Sequence, residues 1–319
     1  MNPIDPPRMA LTVGPLQYHW PRRSVIDFYA ELAESAADCV VLGETVCSRR
    51  RELKSGDWLA LARDLRACGK EVLLATPPLI DSDVEMRALH RLVEQDDFAI
   101  EAGDAAALQL LLTRRRPFVL GPHINIYSRA ALVEHVVLGA RRWAAPVELS
   151  LAALALINPP DDPLLTSDGA PIATEAFAYG RLPLAFSARC FTARHHRLHK
   201  DDCGFRCLDD ADGLLLTSSE GLPFLVLNGT QTQSAATHCL LAEGPALRAA
   251  GVSRLRLSPT SQGFAEVLAA FEAVFNQGAD AAPALAALQA HALPGGLADG
   301  YAHHRAGMDW SRGSAGGVQ

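Results

Sequence analysis

From residue 9 onward, short apolar runs alternate with longer stretches whose apolar positions recur every three or four residues. MALTVG, DCVVLGE, EVLLATP, DFAIEAG, PFVLGPHINIY and RRWAAPVELS read as buried strands. Each is followed by an amphipathic stretch of helical period: VIDFYAELAES, WLALARDLRACG, VEMRALHRLVEQ, AALQLLLTRRR, AALVEHVVLGA and LAALALI. β-rich runs alternating with helices imply parallel strands joined by βαβ crossovers. After Ile157 the rhythm stops at a Pro/Asp loop, NPPDDPLLTSDGAP. Beyond it come a strand FAYGRLPLAF, a polar cysteine-bearing segment, a hairpin LLLTSSEGLPFLVLNG, a helical-looking ATHCLLAE, and a last strand–helix unit, RLRLSPTSQGFAEVLAAFEAVF. Seven or eight such units predict an α/β fold, a TIM-barrel-like (β/α) barrel with a C-terminal cysteine-bearing insertion. Residues 9–275 are read as one barrel domain that includes the segment 187–208, and 276–319 as a C-terminal extension with a disordered tail from Gly313. No GxGxxG follows the first strand and no GxxxxGK[ST] occurs, which counts against a dinucleotide or P-loop fold.

Barrel chemistry sits at the C-terminal ends of the strands. The polar residues there are Glu44, Glu101, Asp104, His123, Asn125 and Glu148. Each could equally cap a helix or satisfy a loop. Glu44, His123 and Glu148 are the strongest candidates, with His123 and Glu148 taken as catalytic.

Composition narrows the class. The chain has 319 residues, 49% of them hydrophobic, and a net charge of −7 with a pI near 5.9. That balance argues against a nucleic-acid binder, and the runs SRRRELK and TRRRP read as solvated helix ends. No signal peptide and no membrane-length apolar run is visible, so a cytoplasmic protein with reduced cysteines is expected.

Three of the seven cysteines, Cys190, Cys203 and Cys207, crowd into RCFTARHHRLHKDDCGFRC, a segment with no hydrophobic reason to hold thiols. Grouped thiols in a reducing compartment point to a soft metal, zinc or iron–sulfur, and either wants a fourth ligand. Cys39 opens a core strand, Cys68 closes a helix, and Cys239 sits in the helical-looking ATHCLLAE. Cys47 instead follows a strand tip, beside Arg49, Arg50 and Arg51, whose charge favours a thiolate. The wide spacing of Cys47, Cys190, Cys203 and Cys207 suits a 4Fe–4S cubane. His195, His196 and His199 keep a mixed Cys/His zinc site open.

VVLGETVCSRRRELKSGDWL, PVELSL, RLPLAFSARCFTARHHRLHKDDCGFRC and VLNGTQTQSA together resemble the UbiV-like family of oxygen-independent ubiquinone-biosynthesis proteins, within the wider collagenase-like peptidase superfamily. The resemblance spans about residues 9 to 275. It implies a 4Fe–4S cluster on Cys47, Cys190, Cys203 and Cys207, and a heterodimer with a UbiU paralogue that carries its own cluster. It further implies a lipid-binding accessory protein, a ubiquinone precursor whose ring is hydroxylated without oxygen, and prephenate as hydroxyl donor. Arg49, Arg50 and Arg51 would then be available to hold carboxylates by paired hydrogen bonds, or would form a solvated loop. Ser128 stands where superfamily relatives often carry Asn, which touches the rim loop but no cluster ligand.

Three other readings compete. Relatives in the superfamily resemble RNA base hydroxylases, although the acidic balance weighs against RNA. Proteolysis finds no HExxH or GxSxG in the chain, and a cysteine nucleophile would need a positioned histidine. A non-catalytic scaffold that stabilises UbiU is the third.

Overall fold

Eight parallel strands close on themselves in the computed structural model, which describes residues 7–290 and 292–312. Six of them pair in chain order, β1 (Ala10–Val13), β2 (Cys39–Leu42), β3 (Glu71–Ala75), β4 (Ala99–Ala102), β5 (Phe118–Leu120) and β6 (Ala140–Ala144), and each leads into a helix. β7 (Ala173–Phe186) is the seventh. A small antiparallel excursion follows, made of β8 (Leu214–Thr217), β9 (Pro223–Asn228) and β10 (Gln231–Cys239). β11 (Val252–Leu257) then inserts between β7 and β1, with Ala10 opposite Arg254 and Arg256 opposite Phe177, and closes the ring. The fold is a TIM-barrel-like α/β barrel. Downstream, helix Ala281–Ala290 buries Leu285 and Leu288, and β12 (Leu297–Ala298) pairs with β10. The tail from Gly313 lies outside the described residues.

The helices start where the sequence supplies caps. Ser82, Asp104, Ser128 and Ser150 each accept a hydrogen bond from the backbone N–H three residues on, which satisfies a donor that the helix cannot. Asp104 is thus a cap rather than a site residue, and Ser128 has the same duty at the helix Arg129–Val137. ATHCLLAE is not a helix: Ala236–Cys239 belong to β10, where pairing with β7 overrides local propensity. Cys239 is still a packed core thiol, as is Cys39, and burial pushes both up to about 12.

β7 does two jobs. Its first half is a barrel stave and its second half pairs with β10 in the antiparallel sheet. The change of partner falls at Gly180, whose φ is +122 and where a Cβ would stand 2.5 Å from the Cβ of Ser258. Only glycine fits that bend at so close an approach.

The barrel interior is charged where such barrels commonly stack aliphatic layers. Arg142 pairs with Glu71 and Glu175, and Arg254 pairs with Glu71. Arg256 donates to Glu175 at 2.6 Å and to Glu101 through both terminal nitrogens, while Thr12 donates to Glu175 at 2.9 Å. Three carboxylates and three guanidiniums balance in this ladder. Burial alone would raise the Glu175 carboxyl, but the charges of Arg256 and Arg142 outweigh it and hold the group low. Removing Arg256 would strand the buried Glu101 carboxylate, at a cost of about 3–5 kcal/mol.

Candidate metal centre and barrel-mouth cavity

Cys47 stands in the loop after β2, and Cys190, Cys203 and Cys207 in the segment between β7 and β8. The fold brings these two stretches together. Arg49 donates to the carbonyl of Lys200 at 2.8 Å and to the carboxylate of Asp201 at 2.7 Å. Helix Phe191–His195 docks through Phe191 N–H to Gly229 O at 2.7 Å and Gly229 N–H to Thr192 Oγ1 at 2.9 Å. The neighbouring Thr230 hydroxyl donates to the carbonyl of Val46, which precedes Cys47. The sulfurs are near enough to act on one another. Cys190 raises the Cys47 thiol, and Cys190 and Cys203 raise that of Cys207, each adding to a larger upward push from burial.

Around the sulfurs the sequence supplies a polar cradle. Glu44 accepts the backbone N–H of Val46 at 2.9 Å and of Cys47 at 3.0 Å, so it shapes the cysteine loop rather than facing a substrate. Buried Arg50 donates to Gln17 O and to Asn228 Oδ1, both at 2.6 Å, and its guanidinium lies beside Cys207. Arg49 and Arg50 are therefore tied into the protein. The Nδ1 of His19 lies 3.3 Å from Cys207 Sγ. His195 and His199 are exposed, and His199 accepts the N–H of Asp201 at 3.3 Å.

This donor set fits a metal–sulfur group. Zinc at about 2.3 Å from each thiolate would need sulfurs about 3.8 Å apart. Among the described residues, no three cysteine or histidine ligand atoms gather within 4.8 Å of one another; only Glu243, Asp299 and His303 form so tight a group. Four soft sulfurs beside a guanidinium also match the charge of a thiolate-ligated iron–sulfur group.

The C-terminal strand tips line a small, partly open pocket of about 20 Å³, room for little more than a water molecule. Glu101, His123, Arg256, Thr76, Gln17 and Ser258 are among its walls. His123 packs edge-on to Phe186, with ring centroids 4.9 Å apart. Burial, and secondarily the charge of Arg256, lower its imidazole to about 4, so the ring is neutral near pH 7 and a weak base there. Glu148 does not line this cavity. It is exposed on the rim and accepts the hydroxyl of Tyr127. His123 and Glu148 thus occupy different surfaces. Glu101 lines this pocket with Arg256 and Gln17, and His19 stands by Cys207; the last three were not among the residues the sequence pattern singled out. The readable signal was Arg254 and Arg256 at alternate positions of the strand RLRL, which send two charges to one face.

A closed eight-stranded (β/α) barrel with an antiparallel excursion that carries thiols to its mouth defines the structural class. The chain belongs to peptidase family U32, whose family model matches residues 26–311. Among solved structures it is similar to the U32 peptidase Mk0906, at 9% identity and a TM-score of 0.43 over 81% of this chain and 95% of that one. It is also similar to the spore cortex-lytic enzyme SleL of Bacillus megaterium QM B1551, at 10% identity and a TM-score of 0.40 over 86% of this chain and 76% of that one.

Proposed function

We propose that this protein is the iron–sulfur subunit of an oxygen-independent hydroxylase that acts on the ring of a ubiquinone precursor, with a UbiU-type paralogue as partner. The observation that carries the reading is the docking of the Cys47 loop against the segment that holds Cys190, Cys203 and Cys207, through Arg49 to Lys200 and Asp201. The motif resemblance in the same two segments supplies the substrate. A bound 4Fe–4S group would supply one-electron transfer. The chain's own residues do the rest. Glu44 and Arg50 hold the cysteine loop, the Glu101–Arg256 pair fixes the cavity floor, and neutral His123 offers a hydrogen bond to a bound ligand.

The family description invites a second reading, proteolysis, and one row of side chains bears on it. Cys207, His19 and Glu52 follow one another at 3.3 Å and 3.8 Å. A cysteine nucleophile needs a thiolate–imidazolium pair. Here burial raises the thiol, while burial and Arg50 lower His19 to about 4, so both groups stay neutral. The row is poorly suited to nucleophilic attack.

Anaerobic purification with iron, sulfide and visible-absorption analysis tests the proposal. Single Ala substitutions of Cys47, Cys190, Cys203 and Cys207 should abolish or sharply reduce iron content, and those of Cys39, Cys68 and Cys239 should not. A strain carrying the four ligand substitutions should make ubiquinone in air and fail to make it without oxygen. Normal anaerobic ubiquinone in that strain would overturn the reading. Peptide hydrolysis lost only with Cys207→Ser would favour the second.

A further inference from the structure

The loop after β1 reaches further than a barrel connection needs to. Gln17 walls the cavity with its side chain and turns its carbonyl to Arg50 at 2.6 Å and to Asn228 at 2.9 Å. Two residues on, His19 is 4% exposed, and its ring packs edge-on to Phe205 with centroids 5.6 Å apart. Phe205 holds a left-handed backbone, φ 51 and ψ 40, between Cys203 and Cys207. Trp20 then donates its indole N–H to Ala211 O at 2.7 Å, just past Cys207. The His19 ring is therefore fixed on both chain sides, and its Nδ1 sits 3.3 Å from Cys207 Sγ. Its other nitrogen is buried without a hydrogen-bond partner, 3.8 Å from Glu52.

We infer that His19 is a positioning residue for the metal centre, donating its Nδ1–H to the thiolate of Cys207 and thereby setting the centre's reduction potential. The inference rests on the iron–sulfur reading above. A metal-bound thiolate offers only lone pairs, so the nitrogen facing it must be the donor, which fixes the tautomer. A hydrogen bond to a ligand sulfur withdraws electron density and favours the reduced state, which raises the potential. The closely packed site gives the bond its direction without solvent competition.

The experiment is a potentiometric titration of the anaerobically purified protein, with dithionite delivering one electron through mediators and EPR as the readout. His19→Leu should keep its iron and sulfide and shift to a more negative potential. His19→Asn, whose amide N–H falls where Nδ1–H stood, should return most of that shift. If His19→Leu proves insoluble, the native protein grown with ¹⁵N-histidine provides the test. Pulsed EPR of its reduced state should show coupling to a histidine nitrogen that is lost in His19→Asn. An iron-loaded His19→Leu protein with the parent's potential, or a native spectrum without that coupling, would overturn this inference alone. A native protein with neither iron nor sulfide would overturn both it and the reading beneath it.

Discussion

His238 is 3% exposed on β10, and burial is the main reason its imidazole is lowered to about 4 from 6.5. Asp299 and a backbone hydrogen bond to Phe177 pull upward, and His303 adds a little to the downward push. His123, on the cavity wall, is lowered to about the same value. Both rings are neutral in the folded chain at pH values where an unfolded chain would already hold the proton. Stability should therefore be insensitive to these groups above about pH 6.5 and should fall as pH drops from there toward 4, since the unfolded state binds more protons across that window. For His238 the full effect is at most about 3 kcal/mol. His238→Gln should flatten the dependence of the denaturation midpoint between pH 7 and pH 4.5; an unchanged slope would show that the ring is not held neutral. Residue identities were legible in the sequence where chemistry is local. Three thiols in one polar segment announce themselves, and Cys47 stands out by its arginines. The partners that give those residues meaning were not legible, because His19, Asn228 and Cys207 meet only after the chain has wrapped around the ring.

Among the elements, β7 carries the most consequence, because one strand serves two sheets. Gly180→Ala should lower stability by about 1–3 kcal/mol, since it combines a φ that L side chains avoid with a 2.5 Å approach to Ser258. Gly56→Ala, in the helix Ser55–Ala67 with open space around its Cβ, is the control and should be neutral or slightly stabilising. Urea titration of the two variants checks this; equal midpoints would mean that the bend relaxes at no cost. The strand–helix alternation was readable for the first six units because each strand is an apolar run and each helix has its own period. The seventh strand was read only from Phe177, and the part before it lay hidden in a polar stretch. β10 looked helical because Ala, Cys and Leu carry little β signal until β7 supplies a partner.

For the whole molecule, the antiparallel excursion and the end of β7 that pairs with it leave apolar side chains in solvent. Leu222 is 65% exposed, Phe224 53% and Leu184 41%. If the paralogue of the proposed reading docks near the metal centre, these residues are the ones to cover. The chain expressed alone should self-associate, and co-expression with a UbiU-type paralogue should give a one-to-one complex that Leu222→Ser with Phe224→Ser weakens. Light scattering after gel filtration reads both outcomes, and a monodisperse monomer that ignores the paralogue would count against docking there. Among the described residues, no helix is long and apolar enough to cross a membrane.

Ring closure also has a meaning in time. β1 pairs with β11 from Ala10 opposite Arg254, so the first strand waits for nearly the whole chain before its second edge is covered. During synthesis β1 and β7 both present open edges, and such long-range pairing is slow and prone to wrong association. All four candidate ligand cysteines leave the ribosome ahead of β11. Cys47 and the segment 187–208 can thus meet before the barrel seals, and a metal–sulfur group captured at that stage would tie the second strand's loop to the seventh's. That tie shortens the loop that the final strand must close.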